Sequence, residues 1–316
     1  MIRYDFWTAP ALAAGEVTSW YPAARAAEIA LADDICENRF TFRGHWEMER
    51  THVPGVFEGE IGWDTVPVDD PEWVFAFNRH TAFVTLGKAW RFTGNEKYAA
   101  AYARLIQDWM ARVPLTEESK KTTWRSIETG LRCENWLRAL ALFQGSDALT
   151  PELLAEIEAC LRVHAAWLLQ AHGTFQVLSN WGVLQDHGLF LLGLALDEPD
   201  WCATAAARLE RELGVQVFDD GSHWEQSPLY HCEVLHCCLN TALAARRAGY
   251  ALPEKLLART HNMCTALAYW LRPDGKLLCQ SDSDEVDARD LLALGAVLFE
   301  DAELKAYATA GLLVEN

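Results

Sequence analysis

Turns that end helices recur along this chain about every fifty residues, and that repeat restricts the fold more than any other feature. They fall at Gly94 (FTGNEKY), Gly145 (FQGSDALTPEL), Glu198 (LDEPDW), Gly249 (RAGYALPEK) and Glu300 (FEDAEL), with separations of 51, 53, 51 and 51 residues. After each comes an Ala/Leu-rich run such as KYAAAYARLIQDWMARV or PEKLLARTHNMCTALAYWL. Apolar residues return in it every three to four positions, the pattern of a helix with one buried face. Two helices of about twenty residues, each about 30 Å long, fill one period once connections are added.

A second series lies half a period out of phase: Asn78, Ser126, Asn180, Tyr230 and Asp282, separated by 48, 54, 50 and 52 residues. These positions sit in long connections rich in polar and aromatic residues. In antiparallel hairpins, positions that are in phase lie at the same end, so short turns gather at one rim and long loops at the other. Closing the hairpins into a ring gives an incomplete (α/α) toroid with a cleft under the long loops; an open superhelix satisfies the same period. The sequence therefore predicts an all-α chain with residues 71–316 as the toroid of antiparallel helical hairpins. Residues 1–70 are expected to supply a helix (VTSWYPAARAAEIALADDI) and a short irregular or β-containing arm packed on it.

A formal charge of -18 on 316 residues repels nucleic acid and anionic lipid, so neither is an expected partner. An acidic glycan would have to be met by locally basic loops. No apolar run is long enough to span a bilayer. Arg3, Asp5 and Glu16 interrupt the first residues, leaving no signal-peptide core. The expected location is cytoplasmic, or periplasmic or secreted if a leader has been removed. Nine cysteines lack zinc-ribbon or redox spacing and are expected to be reduced core thiols. Asp282, Asp284 and Glu285 in SDSDE lack the glycine-centred pattern of a calcium loop, and HExxH, a phosphate cradle and GxSxG are absent, so no metal or cofactor is predicted.

The chemistry concentrates in SNW (Ser179 to Trp181) and HWEQSPLYH (His223 to His231). Asn180 opens an apolar helix, where it either caps backbone donors or offers its amide to a carboxylate whose charge grows during reaction. Trp181 either stacks on a sugar or packs in the core. Tyr230, preceded by Glu225, Gln226 and Ser227, is either a half-buried aromatic with its hydroxyl in water or a phenol able to donate a proton to a glycosidic oxygen, and to act as base if cations lower its pKa. His231 is either that cationic neighbour or a satisfied helix-face histidine. Arg79 and His80 in FNRH share a face, and the guanidinium either grips a carboxylate through two donors or ties the loop to Glu128. In WRSIETGLRCENW, which begins at Trp124, the spacing of Glu128 and Arg132 predicts a pair along one helix side, more scaffold than catalyst. Asp282 either lines the cleft or holds a loop.

In this order and at this spacing, NRH, WRSIETGLR, SNW, DGSHWEQSPLYH and DSDE resemble the N-terminal toroid of the heparinase II/III family of polysaccharide lyases. The resemblance runs from about residue 40 to residue 316, and DGSHWEQSPLYH is its most specific part. It implies a carbon–oxygen lyase that cleaves a uronic-acid glycan, a glycosaminoglycan or alginate, by β-elimination. Asn180 would neutralise the carboxylate and Tyr230 would protonate the leaving oxygen, serving also as base unless His231 helps. Arg79, His80 and Glu225 would position the sugar; beside the resemblance, Trp124, Trp181, Gln226 and Asp282 are further candidate substrate-binding residues. Related lyases usually continue into a β-sandwich that closes over the cleft and adds a histidine. That domain is expected to be absent from this chain and to complete the site as a partner. Trp181 also stands where some relatives have a histidine. Two other classes compete: an inverting glycoside hydrolase using Glu225 and Asp282 at about 6.5 to 9.5 Å, and a noncatalytic glycan-binding toroid.

Overall fold

A computed structural model describes residues 2–7, 21–42, 53–66 and 70–309, and its regular structure is almost entirely helical. The chain divides into two compact units, Met1–Gln170 with Leu192–Glu198, and Ala171–Leu191 with Pro199–Asn316.

The first unit holds α1 (Pro22–Cys36), strands β1 (Arg39–Phe40) and β2 (Gly55–Val56), α2 (Glu72–Phe77), α3 (Thr81–Thr93), α4 (Lys97–Arg112), α5 (Ser126–Leu142) and α6 (Pro151–Gln170). The early helix is present from Pro22, a residue suited to a first turn because its missing N–H would have no partner there. The expected β-containing arm is the antiparallel pair Arg39↔Val56 and Phe40↔Gly55; residues 43–52 of that arm lie outside the described residues. Helix α3 packs on α1, α4 and α5. It approaches α5 so closely that a Cβ on Gly87 would lie 2.7 Å from Leu142 Cβ. Phe40, Trp63, Trp73 and Phe77 form an aromatic core under the arm.

The second unit holds α7 (Thr174–Val177), α8 (Asn180–Ala195, whose last residues belong to the first unit), α9 (Pro199–Gln216), α10 (Pro228–Ala248), α11 (Glu254–Trp270), α12 (Arg289–Phe299) and α13 (Ala302–Ala308). Helix α10 packs on α11 and α12, and α9 on α11. Its start is written in sequence: Ser227 Oγ accepts from Tyr230 N, Pro228 occupies the first turn, and the C-terminus ends on Gly249 after Arg246 and Arg247.

All five predicted turns carry a left-handed residue. Gly94, Gly145 and Gly249 have φ of 67°, 96° and 70°, while Asp197, beside Glu198, and Glu300 adopt 57° and 53°. A left-handed residue ends a helix by folding the chain back onto its last carbonyls, which is why glycine marks three of the five. All nine cysteines are free thiols; six are buried and Cys279 is exposed. None of the described helices is long and apolar enough to cross a membrane.

Candidate functional site

In the second unit, three long connections are tied together by side chains. Asn180 begins α8, and both of its donors go to one carboxylate: the backbone N–H to Glu225 Oε1 at 2.9 Å and Nδ2 to Glu225 Oε2 at 2.7 Å. A carboxylate at a helix start meets unpaired backbone donors and the positive end of the helix dipole. Glu225, rather than Asn180, is therefore the acceptor at this end. Asn180 is buried, and its Oδ1 has no hydrogen-bond partner in the protein.

Gln216, at the end of α9, spans the same two loops. Its Nε2 donates to Val177 O and Ser179 O, both at 2.9 Å, and its Oε1 accepts from His223 Nε2 at 3.0 Å. Ser227 adds the third connection by donating to Asp282 O at 2.7 Å, and Ser283 Oγ accepts from Leu229 N. Asp282 thus contributes its carbonyl, while its side chain is exposed. Gly221, at φ 87°, lets this loop approach α11: a Cβ there would fall 2.1 Å from Asn262 O.

Tyr230 is half-buried in the first turn of α10. His231 beside it is 1% exposed, donates Nε2–H to Met263 O at 3.1 Å, and packs edge-on to Trp270 at 4.7 Å. Burial holds its pKa down to about 3, and His223 is held to about 4 for the same reason. Both rings are neutral, and each leaves Nδ1 without a partner. They border an open pocket of about 650 Å³ lined also by Gln226, Ser227, Tyr269 and Trp270. Gln226 and Ser281, in two of these connections, hold left-handed φ of 55°, a conformation costly for non-glycine residues. Trp181 is half-buried and meets Phe175 edge-on at 5.3 Å.

In the first unit, Arg79 donates to Glu128 Oε1 at 3.2 Å, with Glu128 fully buried. Arg125 grips the same carboxylate through Nε to Oε2 at 2.9 Å and Nη2 to Oε1 at 3.2 Å. The expected pairing of Glu128 with Arg132 is therefore not the one formed. Arg132 instead lies against Trp109 and Trp124 at 4.4 and 4.9 Å and donates to Asn78 O, Thr123 O and His164 Nε2. Its aromatic box and buried carbonyl acceptors outcompete a helix-surface pair. Arg79 Nε and Nη1 keep no partner. His80 is buried, accepts from Trp136 Nε1 at 2.8 Å, and has its pKa lowered by burial and by Arg132. Trp124 is 2% exposed and donates its indole N–H to Val113 O.

The family model for the heparinase II/III N-terminus matches residues 22–304. The chain belongs to the heparinase II/III family. It is 26% identical over 290 residues to a heparin-sulfate lyase of Bacteroides stercoris, covering 84% of this chain and 42% of that protein. The crystal structure of a heparan sulfate lyase of Pedobacter heparinus is similar with a TM-score of 0.72 at 23% identity, over 96% of this chain and 51% of that one. An alginate lyase of Bacteroides ovatus shares the fold with a TM-score of 0.64 at 15% identity, over 94% of each chain. This chain spans about half the length, or less, of the heparin-sulfate lyases it matches. Its fold class is the all-α (α/α) toroid class of these heparinase II/III relatives.

Three heparinase II/III-domain residues that no motif singled out also meet in the second unit. His172, in the turn after α6, lies with Nε2 3.1 Å from Glu212 Oε1 and 3.5 Å from Asp186 Oδ2; Arg208 Nη1 donates to Asp186 Oδ1 at 3.1 Å. Burial raises Glu212 to about 8, and burial together with the Glu212 charge raises Asp186 well above the carboxylate range. An aspartate inside the apolar run GVLQDHGLFLLGLAL is the sequence signal that this cluster offered. Gln216 and Ser227 offered less, because a single buried polar residue gives no hint of its distant partners.

Proposed function

We propose that this domain is the toroid part of a polysaccharide lyase that cleaves a uronic-acid glycan by β-elimination. The reading rests on one observation: Ser179 Oγ, Asn180 Oδ1, His223 Nδ1 and His231 Nδ1 are buried without a protein partner, and all four belong to SNW and HWEQSPLYH. Buried polar atoms are normally paired; three of these four are acceptors and Ser179 Oγ can also donate, so together they suit a ligand rich in hydroxyl groups.

In this mechanism Asn180 faces the uronate carboxyl. Glu225 takes one Nδ2 hydrogen, leaving the second to donate to the carboxylate as negative charge develops on loss of the C5 proton. The Tyr230 phenolate takes the C5 proton, the C4–O bond breaks as a C4–C5 double bond forms, and that proton passes from Tyr230 to the leaving oxygen. His231 is a weak base at neutral pH because burial keeps it neutral down to about pH 3, so Tyr230 is assigned the base role within this chain. Further structure outside these residues is the proposed source of a second neutraliser, in keeping with coverage of 42% of the Bacteroides stercoris heparin-sulfate lyase. An inverting hydrolase draws less support, since both Glu225 oxygens accept from Asn180. By likeness to heparin-sulfate, heparan sulfate and alginate lyases, the substrate class is a glycosaminoglycan or alginate.

Incubation with heparan sulfate, hyaluronan and alginate should give the ultraviolet absorbance of an unsaturated uronate on at least one of them. New reducing ends without that absorbance would mean hydrolysis. Binding without either product would mean a noncatalytic domain.

A further inference from the structure

We propose that His172, Asp186 and Glu212 bind one divalent transition-metal ion beneath the start of α8. The proposal stands independently of the lyase reading. One imidazole and two carboxylates form a donor set suited to Zn²⁺ or Mn²⁺ rather than to Ca²⁺, which prefers oxygen alone. The three residues come from the turn after α6, from α8 and from α9, and one ligand atom of each lies within 4.8 Å of the others.

Spacing accommodates an ion as well as the hydrogen bond between His172 and Glu212. His172 Nε2 is 3.1 Å from Glu212 Oε1 and 3.5 Å from Asp186 Oδ2. Donors bound at about 2.0 to 2.1 Å around a tetrahedral ion stand about 3.3 Å apart.

The second observation is the unmet demand of the carboxylates. Asp186 and Glu212 are fully buried, and when both are ionised Asp186 Oδ2 and Glu212 Oε2 have no donor in the protein, so the pair needs either a cation or a proton held between the two carboxyls. Arg208 occupies Asp186 Oδ1 and so aims Oδ2 toward His172, the role an outer partner plays for a metal-binding carboxylate. Arg208 lies four residues before Glu212 on α9, which puts both on one helix face. Gly182 keeps the space clear: a Cβ there would fall 2.4 Å from Glu212 Oε1 and 2.2 Å from Gln176 O. An ion at this point would pin the N-terminal turns of α8, the helix that Asn180 opens.

The test is a titration of the full chain, stripped of metal by a chelator, with Zn²⁺, Mn²⁺ and Ca²⁺ separately, read by calorimetry and by the Mn²⁺ paramagnetic resonance signal. Uptake of about one Zn²⁺ or Mn²⁺ per chain with proton release, and a higher melting temperature, is expected. Ca²⁺ should bind more weakly. His172→Gln and Glu212→Gln should each weaken Mn²⁺ at least about tenfold. Mn²⁺ discriminates against the free thiols, which favour zinc. No uptake of either transition ion at millimolar concentration, or Mn²⁺ uptake indifferent to His172→Gln, overturns the proposal; a proton shared by the carboxylates would then be the cluster's occupant.

Discussion

Replacing Glu225 tests whether one carboxylate assembles the site. It accepts two hydrogen bonds from Asn180, at 2.9 and 2.7 Å, at the first residue of α8. Hydrogen bonds to a charged partner each contribute about 1.5 to 3 kcal/mol, and a carboxylate at a helix start adds about 0.5 kcal/mol. Glu225 is only half-buried, so water would recover part of this in Glu225→Ala. The expected loss is about 2 to 3 kcal/mol. Glu225→Gln keeps one acceptor but presents its amide to a donor, and should cost about 1 to 2 kcal/mol. Urea unfolding at neutral pH measures both, provided that the slope against denaturant is unchanged. In the elimination assay, Glu225→Gln should lower kcat with little change in KM, because the misplaced amide matters most as charge develops. Variants within about 0.5 kcal/mol of the parent, with full turnover, would refute the claim that Glu225 holds Asn180 in place.

Tyr230→Phe should abolish elimination with unfolding unchanged within about 0.5 kcal/mol, and Asn180→Ala should lower kcat more than it raises KM; steady-state kinetics on the responsive glycan decides both. His231 is held to about 3 in the fold, against about 6.5 when unfolded, so the unfolded state binds more protons and stability is lost as pH falls from about 6.5 toward 3. Glu212 and Asp186, raised by burial, run the opposite way. The clean measurement is therefore a difference: between about pH 7.5 and 5 the parent should lose about 2 kcal/mol relative to His231→Gln, and parallel profiles would count against the assignment. Gly214→Ala meets nothing within 4 Å and should stabilise α9 by about 1 kcal/mol, whereas Gly182→Ala, facing Gln176 O at 2.2 Å, should destabilise by about 1 to 3 kcal/mol; thermal unfolding of the pair checks the sign.

The repeat was legible because its punctuation is local. A left-handed residue at a helix end needs no knowledge of the rest of the chain, and Gly94, Gly145 and Gly249 announce it by residue type alone. Asp197 does so weakly, since a short polar side chain tolerates the left-handed region, and Glu300 only through the period. Partner choice was far less legible. Glu128 and Arg132 have the spacing of a surface pair, yet Arg132 is drawn into a box made by Trp109 and Trp124 from other segments. The Asn180–Glu225 contact joins residues 45 apart, and the Gln216 bridge reaches 37 and 39 residues back. Such pairings follow from how hairpins stack, a property that no window of sequence contains.

How a chain of formal charge -18 could hold an acidic glycan follows from which atoms are committed. Among the residues lining the pocket beside His231 there is no lysine or arginine, and Asp220 is acidic. Both histidines are neutral, so that part of the domain offers hydrogen bonds without positive charge. In the first unit, Arg79 and Arg125 both donate to the fully buried carboxylate of Glu128. On the proposed lyase reading, uncharged groups such as the two histidines suit a sparsely charged uronate better than a densely sulfated chain. In the proposed mechanism the uronate carboxyl group meets the Asn180 amide, which Glu225 holds, instead of a mobile cation. Such a donor needs no reorganisation as charge moves from C5 onto the carboxyl oxygens, which is the condition for stabilising a transition state more than a bound substrate.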